Sequence, residues 1–210
     1  MAALREFRRI LDATFARNLA REARVDLVPV GADYDLSEAD IVFGGGGQDR
    51  SQLEVAGDLG RRRAAIHEAV AAGTVFLTIC GTYQLFGRRF LTQDEQEIPG
   101  IGVFAMDTIG GRRRMIGNVV VATPWGDLVG FENHSGRTLL DPGQAALGRV
   151  KKGFGNNETR REEGAVTANC FGTYLHGSLL PKNPAFADEM ADVAREWSGA
   201  LGDGLADEDS

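Results

Sequence analysis

One cysteine in this chain stands where a nucleophile would be built. Cys80 closes the apolar run 74–79 and is followed at once by Gly81 and a helical pattern from about Thr82. A cysteine between a buried strand and a helix sits on a strand-turn-helix elbow. The elbow lifts the sulfur above the sheet edge, and the helix N-terminus lowers the thiol pKa from about 8.5 and aims free backbone N–H groups at the same point. Such groups can receive the negative oxygen of a tetrahedral intermediate, one donor contributing about 2.7–4 kcal/mol. Gly81 leaves the backbone uncovered there. The four glycines at 44–47 follow another short strand and could supply a second donor from the Gly45–Gly46 region. The alternative for Cys80 is a small buried hydrophobe, but such a cysteine more often lies inside the 75–79 run than at its end. Cys170 has no glycine turn beside it and reads as structural.

A thiol nucleophile needs a base, and the chain has three histidines. His67 sits inside a helical stretch. His134 lies in a polar segment, 131–136, that reads as a turn, where it would touch a substrate or merely fill the turn. His176 lies between Gly172 and Gly177, just before the last helix, and glycines allow this loop to pack against another. It could simply fill the loop, but it is the best base for Cys80, 96 residues upstream, because such partners meet in space and not in sequence.

The elements that would position these groups alternate between helix and strand. Residues 4–23 carry apolar side chains at helical spacing. Residues 25–30 read as a strand closed by Pro29 and Gly31, and 39–43 as a second. A helix is expected from about 51 to 72, weakened by Gly57 and Gly60 and stopped at Gly73. The run 74–79 has the composition of a strand buried on both faces. Strand, glycine loop, helix, strand contains a βαβ unit, whose parallel strands bring the 44–47 loop and Cys80 to one sheet edge. Short β-like pieces follow at 98–105, 115–123, 128–131, 149 onward and 164–169, then a helix over 185–197. We expect one domain over 1–200 and a disordered acidic tail over 201–210.

Composition removes several function classes. The 210 residues hold 23 Lys and Arg against 30 Asp and Glu, a net charge of −7. That is a poor basis for binding nucleic acid or an anionic membrane. No apolar run approaches the roughly 18 residues of a membrane span. Two cysteines make no disulfide framework, so a cytoplasmic setting is expected. Cys80, His134 and His176 lack the short spacing of metal ligands, and no metal is expected. Glycine is enriched at 28 residues with no three-residue period, as in a chain of tight turns and backbone-binding loops.

Four blocks in order carry a resemblance: the glycines at 44–47, ICGTYQ at 79–84, GFENHSGRT at 130–138 and GTYLHG at 172–177. Together they resemble the class I glutamine amidotransferases, more narrowly the CobB/CobQ-like branch, and within it the small glutaminase subunits of lipid II isoglutaminyl synthase. The resemblance covers about 35–190. It implies an α/β fold of three layers, a flavodoxin-like, mostly parallel sheet flanked by helices. It implies that Cys80 attacks the side-chain amide of L-glutamine, that His176 carries the proton to the leaving ammonia, and that Gly45, Gly46 and Gly81 hold the oxyanion. Arg114, with Gln84 and His134, would contact glutamine, although Arg112 and Arg113 are adjacent candidates and a solvated basic hairpin is the competing explanation. The acceptor would be amidated by a Mur-ligase-like (MurT-like) partner that binds ATP and Mg, because this chain has no phosphate-binding GxxxxGK[ST] loop. Alternatives are a glutaminase serving another amidation, such as cobyrinate-type cofactor synthesis, and an inactive scaffold of the same fold.

The chain departs from the family in three places. Thr78 and Thr82 stand where most relatives have glycine around the nucleophile. Ser178 stands where most place the glutamate that orients the base, and serine supplies no carboxylate. In the resembled subunits the partner fills that gap, so the isolated chain is expected to be a poor glutaminase. Relatives also begin with a strand, and none is read ahead of Leu4, as in a truncated start or a sheet lacking that strand.

Overall fold

The computed structural model describes residues 25–46, 52–176 and 179–204. The helix expected over 4–23 lies outside them, as do Gly47, Gly177, Ser178 and 205–210. The described chain forms two sheets with helices packed on them.

The first sheet contains β1 (Ile41–Gly44), β2 (Val75–Ile79), β9 (Ala165–Thr167) and β10 (Cys170–Thr173), in the order β1-β2-β10-β9. β1 and β10 both run parallel to β2, and β9 closes the edge antiparallel. Every residue of β2 is buried, as its unbroken apolar run requires. Its alternation divides the core in two. Val75, Leu77 and Ile79 pack with Leu175, Phe186 and Met190, and Phe76 packs with Ile66, Tyr83, Phe86 and Phe104 on the other side.

Between β1 and β2 run α1 (Gln52–Arg61) and α2 (Arg63–Ala71), where one helix was expected. The break falls at Arg62, just after Gly60, a poor helix former. Asp58 ties the break down by accepting bonds from Arg61, Arg62 and the Gly31 amide. The expected strand at 25–30 does not form. Pro29 has no N–H to give a ladder, and its carbonyl accepts Ala32 N (3.1 Å) to close a turn instead. Leu27, Val28 and Val30 stay exposed.

The second sheet is the larger and is mostly antiparallel, which the expected parallel sheet did not include. It holds β3 (Arg89–Leu91), β4 (Glu97–Pro99), β5 (Met106–Thr123), β6 (Gly126–Leu140), β7 (Gly148–Lys152) and β8 (Glu162–Glu163). β5 and β6 form one long hairpin. Its register jumps between Gly110, opposite Gly136, and Met115, opposite His134, so Gly111 to Arg114 bulge out of the ladder. α3 (Gly81–Phe86) follows β2, and α4 (Leu179–Lys182) and α5 (Pro184–Gly204) end the described chain. α5 starts with Pro184 at its first position, where the missing N–H costs nothing, and it runs past residue 201, where the tail was expected.

Candidate active site

Cys80 joins β2 to α3 with φ 51° and ψ −107°. A non-glycine residue rarely adopts such a backbone, which costs on the order of 1–3 kcal/mol and is tolerated where the surroundings enforce it. Here the Cys80 amide donates to Thr173 O (2.9 Å) and its carbonyl accepts Gln84 N (2.9 Å), so both sides of the elbow are fixed. The threonines in place of glycine fit around it. Thr78 is buried with its hydroxyl on Phe171 O. Thr82 lies against Gly44, and its hydroxyl donates to Gly45 O (2.6 Å).

The glycine loop and His176 meet at this elbow. A Cβ placed on Gly46 would lie 3.3 Å from Cys80 Cβ and 3.3 Å from His176 Cε1. The parallel register that pairs Gly44 with Thr78, and Thr78 with Gly172, delivers all three segments to one rim. His176 is held by its own amide, which donates to Phe131 O (2.6 Å) on β6. Leu175 beside it is buried against Gly130, where a Cβ would lie 3.1 Å from Leu175 Cβ. Burial first, then the charges of His134 and Arg114, hold the His176 pKa below its ordinary 6.5, which keeps the imidazole neutral and able to accept a proton. Gly81 opens α3 immediately after the sulfur.

Of the three adjacent arginines, Arg113 is paired with Glu158 and lies over the Phe154 ring. Arg114 donates to Asn133 Oδ1 (3.0 Å) and Asn133 O (3.2 Å), and its charge acts on His176. The bulge therefore sets Arg113 on Glu158 and Arg114 on Asn133, from where the Arg114 charge reaches His176.

Gln84 and His134 lie inside the protein. Gln84 Nε2 donates to the Tyr174 hydroxyl (3.1 Å), and Gln84 Oε1 accepts from Gln52 (2.7 Å). His134 is 2% exposed, and it lies within β6 rather than in a polar turn, because Glu132, His134 and Thr138 alternate onto the inner face. Its ring stacks on Tyr174 at 3.5 Å between centroids. Cys170 is buried, and burial alone pushes its thiol up to about 12, so it is no second nucleophile. His67 donates through Nε2 to Ile101 O (2.8 Å), a structural bond. The residue that sequence reasoning missed is Glu163, fully buried, whose Oε1 accepts from Thr173 Oγ1 (2.6 Å) and Tyr174 N (2.7 Å), just before His176.

A cysteine on a strained elbow, a histidine and a glycine loop on one rim of an α/β sheet are the parts that a thiol-dependent acyl transfer requires. The chain belongs to the CobB/CobQ-like glutamine amidotransferase domain family, which matches residues 13–184. Among characterised relatives it is 39% identical, over 85% of this chain and 74% of the relative, to the lipid II isoglutaminyl synthase (glutamine-hydrolyzing) subunit GatD of Staphylococcus aureus. It is 37% identical, over 85% and 70%, to the subunit of the same name from Streptococcus pneumoniae. Cobyric acid synthase of Nocardia farcinica is 31% identical over 81% of this chain, which spans 35% of that protein. The fold matches a solved glutamine amidotransferase and the PurLQS structure from Thermotoga maritima. Both give a TM-score of 0.61 at 13% identity, the first over 89% of this chain and 93% of its own, the second over 90% and 92%. No helix among the described residues is long and apolar enough to cross a membrane.

Proposed function

We propose that this chain is the glutaminase subunit of a lipid II isoglutaminyl synthase, working in the cytoplasm. Cys80 Sγ attacks the side-chain amide carbon of L-glutamine while His176 takes the thiol proton. The Gly46 region and Gly81 hold the oxyanion that develops. His176 then passes its proton to the departing ammonia, leaving a γ-glutamyl thioester on Cys80. Water, deprotonated by the same imidazole, releases glutamate and restores the thiol. Ammonia passes to a Mur-ligase-like partner, which binds ATP and Mg, activates the α-carboxyl of D-glutamate in lipid II and forms D-isoglutamine. That partner also supplies the acid that Ser178 cannot.

The observation that carries this reading is the meeting of Cys80, Gly46 and His176 at one rim. Identity of 39% and 37% to the synthase subunits, against 31% to cobyric acid synthase, favours lipid II as the acceptor's source. The test is co-purification from the native host, then ammonia release from glutamine with and without the bound protein. The complex should release ammonia, 6-diazo-5-oxo-L-norleucine should label Cys80, and Cys80→Ser should lose on the order of 10⁴-fold or more in kcat. Undiminished turnover in the serine variant rules the mechanism out. A complex that releases ammonia but leaves D-glutamate in lipid II unamidated rules out the acceptor alone.

A further inference from the structure

The region behind the base holds more buried polar groups than the chemistry at Cys80 and His176 uses. Glu132, His134, Glu163, Thr173, Thr138 and Tyr174 are all buried. Glu132 is satisfied, since its two oxygens accept Phe154 N (2.7 Å) and Gly155 N (2.9 Å). His134 Nδ1 lies 2.9 Å from Gly136 O, and a carbonyl only accepts, so Nδ1 carries the hydrogen. His134 Nε2 and Glu163 Oε2 have no hydrogen-bond partner. Burying polar atoms this way is costly, and in a native fold it calls for a reason.

The reason offered by the geometry is the strand end that carries the base. Glu163 Oε1 grips that strand end twice, through the Thr173 hydroxyl and the Tyr174 amide. The Thr173 hydroxyl in turn accepts Leu175 N (3.0 Å), so one carboxyl oxygen organises three consecutive residues before His176. The Tyr174 ring is clamped by His134, and its hydroxyl bonds Thr138 (2.7 Å) and accepts from Gln84. We propose that Glu163 is a positioning residue for His176, fixing the backbone on which the imidazole stands without touching glutamine. This rests on the glutaminase reading for its purpose. Glu163 is not a substitute for the missing orienting acid, because its bonds go to Thr173 and Tyr174 and not to the imidazole. Burial pushes its carboxyl up to about 7 against the opposing pull of the bonds from Thr173 and Tyr174 and of the His134 charge, so glutamine would imitate the protonated form.

The test is the pH dependence of Cys80 alkylation by iodoacetamide in the full chain, which needs no glutamine. A correctly placed neutral imidazole takes the thiol proton, and the imidazolium it becomes stabilises the thiolate, so displacing His176 delays thiolate formation. In Glu163→Leu the midpoint should rise by about one pH unit or more, and the rate at neutral pH should fall on the order of tenfold. At high pH, where the thiol ionises unaided, the rates should converge with wild type. Glu163→Gln keeps the acceptor oxygen and should recover most of the loss. Thr173→Val, nearly isosteric, removes one of the two bonds to Glu163 Oε1 and should shift the profile in the same direction, by less, even if Glu163→Leu folds poorly. A wild-type profile in Thr173→Val or in folded Glu163→Leu overturns the proposal, as does Glu163→Gln being as defective as Glu163→Leu. Either result leaves ammonia release by the wild-type complex untouched, so this inference can fail while the glutaminase reading stands.

Discussion

Cys80 and His176 face each other across Gly46, and a methyl group there would lie 3.3 Å from a carbon of each. That spacing is tighter than ordinary van der Waals contact, so a side chain at 46 displaces the sulfur or the ring. Gly46→Ala should therefore lower kcat on the order of 10²-fold while the thermal midpoint moves by no more than about 3 °C. Kinetics beside a melting curve decide it, and activity within twofold of wild type would contradict the geometry.

Thr82 is the departure from glycine that the structure explains. Its hydroxyl holds the Gly45 carbonyl, and a planar trans peptide turns the Gly46 N–H to the opposite side. Thr82→Val should reduce kcat by about tenfold with KM little changed, since an oxyanion donor acts on the transition state. Thr82→Ser should retain most of the rate. Equal loss in both variants would point to packing on Gly44 instead.

Arg114 and Arg113 should separate cleanly. Arg114→Gln should raise KM for glutamine by about tenfold, the range expected for losing a charge-assisted bond. Arg113→Gln, whose parent side chain is engaged by Glu158, should stay within about twofold. The Arg114 charge also lowers the His176 pKa, so its removal favours the imidazolium. The acid limb of kcat/KM should then move to higher pH in Arg114→Gln. A limb that stays in place would separate Arg114 from the base.

Stability should carry the signature of Glu163. Its carboxyl is raised from 4.5 to about 7 by burial, so between those values the folded protein keeps a proton that the unfolded chain has released. That contribution is complete below 4.5 and is lost as pH rises through about 7. Glu163→Gln has no proton to lose. Its melting temperature relative to wild type should climb between about pH 5 and 8, and a flat difference would place the group's pKa elsewhere.

The convergence of Cys80, His176 and the glycine loop was legible because each sits where an apolar run meets glycine, and parallel pairing sends such ends to one rim. The βαβ unit followed from the same runs. His134 was misplaced because 131–136 is polar in composition, yet Glu132, His134 and Thr138 face inward at a period of two. Polar residues on a buried face look like surface to any hydrophobic pattern. Glu163 was invisible for the same reason, since nothing in its type or neighbours announces burial. The first half of β5 was hidden by Gly110, Gly111 and three arginines, which a bulge accommodates without ending the strand. The strand read at 25–30 failed on Pro29, whose carbonyl closes a turn.

The bond from the Cys80 amide to Thr173 O has a consequence for synthesis. The elbow is braced by a residue the ribosome adds 93 positions later, and β2 gains its second parallel neighbour only with β10. Contacts that distant form late and slowly. A nascent or prematurely ended polypeptide thus leaves the turn at position 80 unbraced until the final third of the protein has docked.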